Sequence, residues 1–293
     1  MTLVADRHPA GGLRGRGGVR VELTGVVHLY RQAGADVVGL RSVDLEVEPG
    51  EMVALLGPSG MGKTTVLRLM AGLMAASAGV VRVDGTDLGR LKAAERRRLR
   101  AFDISYVVQG TLPNILPFAT ALENVWFAQH GAVREGHPPP WSPDELLDHL
   151  GLGALGDVPL HALPRAAQQE VAVAAGVAPG ARLLLADEPT AQLTSAGAER
   201  VIALMKQVNA DFGTTVVIVT HDPAVAAQFQ RTVTIRDGRV GVEAHRGEEY
   251  AVVDGSGSLQ LPPDALAVLP PNSRVKVVVT PSLVELHPPG EAP

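Results

Sequence analysis

The chain contains no cysteine, which excludes disulfides and thiolate metal sites. Aromatic residues make up only 3% of it, so a stable core has to rest on Val, Leu and Ala. No apolar run approaches the roughly 18 residues of a membrane span. Thr2 to Arg20 has no apolar centre, so no export signal is expected. The net charge of −5 is modest and gives no general attraction to nucleic acid. What is plentiful is apolar content, 46% of 293 residues, enough for a packed core and about two domains.

The stretch on which the rest depends is Gly57-Pro-Ser59-Gly60-Met-Gly62-Lys63-Thr64-Thr65. It fits the phosphate-binding pattern G-x-x-x-x-G-K-[ST], and its setting is the one that pattern needs. Met52 to Leu56 reads as a buried strand before it, and Val66 to Ala71 as a helix after it. Glycines let backbone N–H groups turn inward around a phosphate, and the helix start adds free N–H groups and a positive dipole end. Lys63 is placed to neutralise the outer phosphates, and the Thr64 hydroxyl to ligate Mg²⁺.

Residues 1–18 mix arginines with glycines and read as a flexible basic tail. Val19 to Leu23 and Val43 to Val47 alternate as strands of a half-exposed antiparallel sheet, with Tyr30 between them. Val80 to Val83 before Asp84-Gly85 reads as a hairpin arm. Ile104 to Val108 is a strand ending at Gln109, and helical patterns follow over 121–125, 144–152, 165–177 and 201–208. Arg182-Leu-Leu-Leu-Ala-Asp187-Glu188 is an apolar strand that presents two acids at its C-terminal edge, where ligands sit in open α/β sheets. Asp187 can hold Mg²⁺, and Glu188 can polarise an attacking water as general base. Val216 to Thr220 is a second such strand. It ends at His221, placed to donate a hydrogen bond to a γ-phosphate.

With these landmarks placed, residues 19–242 resemble an ABC-type ATP-binding subunit, of the kind that serves lipoprotein-release, cell-division and macrolide-export permeases. The likeness rests on the phosphate loop, Tyr106-Val-Val-Gln109, Thr120-Ala-Leu-Glu-Asn-Val125, Leu184-Leu-Ala-Asp-Glu-Pro-Thr190 and Val219-Thr-His-Asp222, in that order. It implies an α/β P-loop NTPase fold: a mostly parallel core sheet, an antiparallel β-subdomain and a helical subdomain. It further implies ATP and Mg²⁺ as cofactors. Tyr30 would stack on adenine. Gly57, Ser59, Gly60, Gly62, Lys63, Thr64 and Thr65 would bind the phosphates. Thr64, Gln109 and Asp187 would form the metal site, Glu188 would be the catalytic base, and His221 the switch histidine. The partners implied are transmembrane permease subunits and a second ATP-binding subunit, in a homo- or heterodimer at the cytoplasmic face of the membrane, with no nucleic acid.

Two stretches depart from the family pattern. The family's Leu-Ser-Gly-Gly-Gln signature, which reaches the γ-phosphate of the facing subunit, is replaced by Leu163-Pro164-Arg165-Ala166-Ala167, with Glu170 where an arginine usually follows. Pro164 has neither N–H nor hydroxyl, so an asymmetric dimer is expected, in which a partner supplies the intact signature. A non-hydrolytic nucleotide-binding regulatory subunit is the alternative. Leu193-Thr194 also stands where the family has an aspartate that crosses the dimer interface.

Residues 243–293 read as a small β-rich extension: a strand, a turn at Asp254-Gly255, a second strand, a short helix over 264–269 and two further strands. They weakly resemble an AbrB-type swapped hairpin. From Glu248 onward six acids face two bases, which points to dimerisation rather than DNA. An appendage packed on its own ATPase core is the other reading.

Overall fold

The computed structural model describes residues 15–32, 35–245, 248–253, 257–261, 263–270 and 273–288. Most of the expected basic tail and the turn at 254–255 lie outside the described residues.

The chain opens with β1 (Val21–Gln32) and β2 (Ala35–Val47), paired antiparallel with Val21 opposite Val47 and Leu23 opposite Leu45. Alternation predicts two short strands with Tyr30 between them; β1 instead runs through Tyr30. The pairing register shifts at three places between Leu23 and Leu29, and each shift breaks the period of two by which a strand is read. Next come β3 (Met52–Leu56), α1 (Lys63–Met70), β4 (Ala78–Val83), β5 (Thr86–Asp87), α2 (Ala93–Phe102) and β6 (Ile104–Val107). The helical portion follows: α3 (Ala121–Arg134), α4 (Pro143–His149) and α5 (Arg165–Val177). Then β7 (Leu183–Asp187), α6 (Ser195–Phe212), β8 (Thr215–Thr220), α7 (Pro223–Ala226), β9 (Arg231–Arg236), β10 (Arg239–His245) and β11 (Glu248–Ala251) complete the main body. The chain ends with α8 (Pro263–Val268), β12 (Lys276–Val279) and β13 (Val284–His287).

The core sheet has seven strands in the order β11-β10-β9-β3-β8-β7-β6. From β9 to β6 the pairs are parallel, and β10 and β11 add an antiparallel edge. A four-stranded sheet, β2-β1-β4-β5, packs beside it. The apolar runs of β3, β7 and β8 are buried on both faces, as parallel strands under helices must be. Met52, Leu184 and Val216 join one core with α3 to α6, whereas Val53, Leu185 and Val217 join the other with α1 and the four-stranded sheet.

Local signals set the helix limits. Thr120 and Ser142 start α3 and α4 with reciprocal capping boxes to Glu123 and Glu145. α6 starts six residues before the predicted helix, at the Thr194 cap, and ends on Gly213 in the left-handed region.

Residues 15–18, assigned to the tail from composition, lie on the core. Gly17 donates its N–H to the Phe212 carbonyl (3.2 Å), and Arg16 pairs with Asp103 (2.9 Å). The expected boundary between residues 242 and 243 falls inside β10, and β11 continues the core sheet past it. Beyond β11, the Gln260 side chain donates to the Arg236 carbonyl (3.4 Å). The ribbon of β12 and β13 sets Val277 against Leu286 and Val279 against Val284 along one face.

Candidate functional site

The site is built where β3 gives way to α1. Gly57 passes so close to β9 that an added Cβ would run into the Ile235 carbonyl oxygen. Gly62 caps α1 at φ 92°, and a Cβ there would meet Gly39 O and Leu40 Cδ2, each at 2.7 Å. Both positions therefore require glycine. α1 begins at Lys63, so the first N–H groups of the helix face the loop without intrahelical partners. The Lys63 ammonium is buried and donates to the carbonyls of Gly57 (2.6 Å) and Pro58 (2.7 Å). Burial lowers its pKa, against the opposing pull of Glu188 and Asp187.

β7 delivers the two acids. Asp187 is buried, and both of its oxygens accept hydrogen bonds: Oδ1 from the Thr64 hydroxyl and Oδ2 from the Tyr106 phenol, each at 3.1 Å. Burial, with Asp187 next to it, pushes the Tyr106 phenol up to about 12. Glu188 turns out of the strand at φ 48° and donates its N–H to the Val219 carbonyl (2.9 Å). A non-glycine residue in that region, directly before Pro189, carries on the order of 1–3 kcal/mol of strain, the kind that accumulates at functional sites. Its Oε1 lies 2.9 Å from Nδ1 of His221, whose ring is 61% exposed.

Tyr30 bonds the Thr65 hydroxyl through its own (2.8 Å) and stands edge-on to His28 at 4.7 Å. Gln109 is carried by a loop that Asn114 staples, its amide bonding both the N–H and the carbonyl of Val108 at 2.8 Å. Thr111 then ties that loop to Gln169 of α5 (3.0 Å).

Tyr30, Ser59, Gly60, Gly62, Lys63, Thr64, Thr65, Gln109, Asp187 and Glu188 line one cavity of about 390 Å³. Gly57 and His221 do not join it. They line a neighbouring cavity of about 530 Å³ with Ser59, Arg236, Gln260 and Leu261, so His221 reaches the site through Glu188. The cavity's donors are hydroxyl, amide and carboxylate oxygens beside backbone N–H groups and an ammonium. That set suits a polyphosphate and a hard cation such as Mg²⁺, which takes one or two carboxylates and leaves its other positions to water and phosphate. Two contributors escaped the sequence reading. Tyr106 belongs in the sequence to a strand and to the Tyr106-Val-Val-Gln109 stretch, but its contact with Asp187 depends on the β6–β7 register. Asn114 sits in a Pro-Asn turn typical of loops.

α5 starts beyond Pro164, which offers no side-chain cap. Arg165 donates to the Gln192 side chain (2.7 Å), and Glu170 pairs with Arg200 (3.1 Å). A larger cavity, about 690 Å³, lies between α2, β6, α3 and α5 and is lined by Phe102, Tyr106, Phe127 and Arg134. Phe127, which lines it, and Trp126, packed on the lining His130, are exposed, as is Phe118 beside His161.

Residues 40–191 match the family model described as ABC transporter. The chain is 40% identical to the lipoprotein-releasing system ATP-binding protein LolD of Anaeromyxobacter dehalogenans, over 75% of this chain and 92% of that protein. It is 37% identical to the macrolide export ATP-binding/permease protein MacB of Syntrophobacter fumaroxidans, over 76% of this chain. The match spans only 31% of that longer protein. Among solved structures, the dimeric post-hydrolysis state of the ATP-binding cassette MJ0796 bound to ADP and Pi is 32% identical. It superposes with a TM-score of 0.66 over 77% of this chain and 98% of that one.

Proposed function

Because the chain belongs to the ABC transporter family, we propose that it is an ATP-binding subunit that hydrolyses Mg²⁺·ATP to drive transmembrane permease subunits at the cytoplasmic face of a membrane. The observation that carries this reading is the Thr64–Asp187 contact at 3.1 Å, in the same cavity as Lys63 and Glu188. The loop N–H groups and Lys63 would hold the β- and γ-phosphates, Lys63 exchanging the Gly57 and Pro58 carbonyls for phosphate oxygens. Tyr30, at the rim of the cavity, would take the adenine face. Thr64, Asp187 and Gln109 would hold Mg²⁺, which when bound offsets the phosphate charge. Glu188 takes the proton of the attacking water as its oxygen bonds the γ-phosphorus and the bond to ADP breaks. His221 holds the Glu188 carboxylate in place for that transfer.

Permease docking falls to the face around the larger cavity, where Trp126 and Phe127 are exposed. The Thr111–Gln169 bond connects the Gln109 loop to α5 beside it. The ATP-binding domain would run from about residue 19 to 251, the remainder being an appended module, as the β10–β11 pairing supports.

The second half of the site would come from another ATP-binding subunit. Pro164 and Arg165 favour an asymmetric pair, in which this chain supplies a working phosphate loop and its partner an intact signature. The same residues favour the second reading, a nucleotide-binding regulatory subunit that turns ATP over poorly. Steady-state ATP hydrolysis and ATP binding by the purified chain, over a range of protein concentrations with Lys63→Ala as control, test both. Tight binding with negligible hydrolysis is expected. Fast hydrolysis that rises with protein concentration would refute the need for a partner, and absent binding would refute the whole reading.

A further inference from the structure

One hydroxyl at the site has no role in the function proposed above. Tyr106 of β6 pairs with Leu185 of β7. Asp187 lies two residues further along β7, so the Tyr106 and Asp187 side chains leave the same face of the sheet. The phenol donates to Asp187 Oδ2 at 3.1 Å. α1 covers that face. Thr64, in the first turn of that helix, donates to Asp187 Oδ1. The two oxygens of Asp187 are thus held from two elements, Oδ1 from α1 and Oδ2 from β6. Tyr106 itself lines the 690 Å³ cavity and not the 390 Å³ one, so it reaches the site only through the acid.

We propose that Tyr106 is a positioning residue for the metal-site carboxylate: its hydroxyl holds Asp187 in the rotamer that turns Oδ1 toward Thr64 and the phosphate loop. The inference rests on the reading of Asp187 as the Mg²⁺-site acid. Phenylalanine would fill the same ring volume and leave Oδ2 without its donor. Partners of this kind orient a ligand without touching the metal, and their loss costs about 10–100-fold in metal affinity.

The test uses the full chain as wild type, Tyr106→Phe and Tyr106→Leu. A fluorescent ATP analogue is titrated in EDTA and in rising Mg²⁺, and Mn²⁺ binding to the nucleotide complex is read by electron paramagnetic resonance. Tyr106→Phe should leave the EDTA affinity unchanged and weaken the metal by about tenfold, with Tyr106→Leu weakening it at least as much. Unchanged metal affinity in Tyr106→Phe overturns the proposal. So does an equal loss with and without Mg²⁺, because a general packing role would lower both. Should Tyr106→Phe fail to fold, Tyr106→Leu decides, and unchanged metal affinity there overturns the proposal. A wild-type chain that binds the analogue no better with Mg²⁺ than without would overturn the Asp187 reading and the inference together.

Discussion

Restoring the missing signature is the most direct way to separate the two halves of the site. The variant carries Pro164→Ser, Arg165→Gly and Ala166→Gly together. Its cost to the fold can be worked from the first turn of α5. Pro164 is the N-cap and gives no side-chain hydrogen bond; serine there is a favoured cap, worth about 1 kcal/mol. Arg165→Gly removes the exposed bond to Gln192, about 0.5–1 kcal/mol, and about 1 kcal/mol of helix propensity. Ala166 is buried against α6 beside Gly197, and its change to glycine costs about 1 kcal/mol more. The sum is a loss of about 1.5–2 kcal/mol, a few degrees in Tm for a chain of this size. The catalytic gain is larger. A single donor to the reacting group is worth about 10²–10³ in rate, and donors that act as a unit do not multiply. We expect hydrolysis to rise by about 10²–10³ in all. The rate per chain should climb with protein concentration, because on the proposed reading each signature would act on a second chain. Steady-state phosphate release, with Lys63→Ala in both backgrounds, measures it. A triple variant no faster than wild type, or a gain independent of concentration, would refute the reasoning.

Glu188→Gln should keep ATP binding and lower hydrolysis by about 10²–10⁴, the usual worth of a positioned general base; comparing nucleotide affinity with turnover checks it, and retained turnover would move the base elsewhere. Alkaline stability gives a further test through Tyr106, whose phenol is raised from the usual 10.0 to about 12. Between those values the folded chain keeps a proton that the unfolded chain has released, so the phenol's contribution to stability is intact below pH 10 and falls as pH rises through the window. Urea unfolding in EDTA at pH 9 and pH 11 should show a steeper loss for wild type than for Tyr106→Phe. Equal losses would show that the phenol titrates normally.

The parts of the site that were legible in the sequence are those fixed by spacing along one element. The phosphate loop needs only its own glycines, lysine and threonine, and Asp187-Glu188 needs only the apolar run of β7 before it. The fold class was legible for a related reason: β3, β7 and β8 are uninterrupted apolar runs, and their alternate residues do enter opposite cores. The illegible parts depend on register or on irregular backbone. The second half of β1 is hidden by its register shifts. The first turns of α6, Ser195-Ala-Gly-Ala, carry little apolar pattern and are marked by the Thr194 cap, which accepts from the Gly197 N–H. The Tyr106–Asp187 bond joins residues far apart in the chain and exists only because β6 lies beside β7.

The departure at the signature is local, and this bears on how the chain pairs. Pro164 and Arg165 are exposed, whereas the body of α5 is buried, with Val171, Val173 and Ala174 fully enclosed in the core that includes β7 and α6. Glu170 is neutralised by Arg200 at 3.1 Å rather than left as an unpaired buried charge. α5 is therefore fully built, and its exposed first turn presents a proline ring and a guanidinium held by Gln192. Lys63, Thr64 and Asp187 are held by their own contacts at the end of β3 and β7. On the reading proposed above, Lys63, Thr64 and Asp187 are this chain's own nucleotide half, and the exposed turn at Pro164 and Arg165 would be its weak contribution to a neighbour's. Changes at that turn should therefore alter a partner's turnover and leave nucleotide binding by this chain intact.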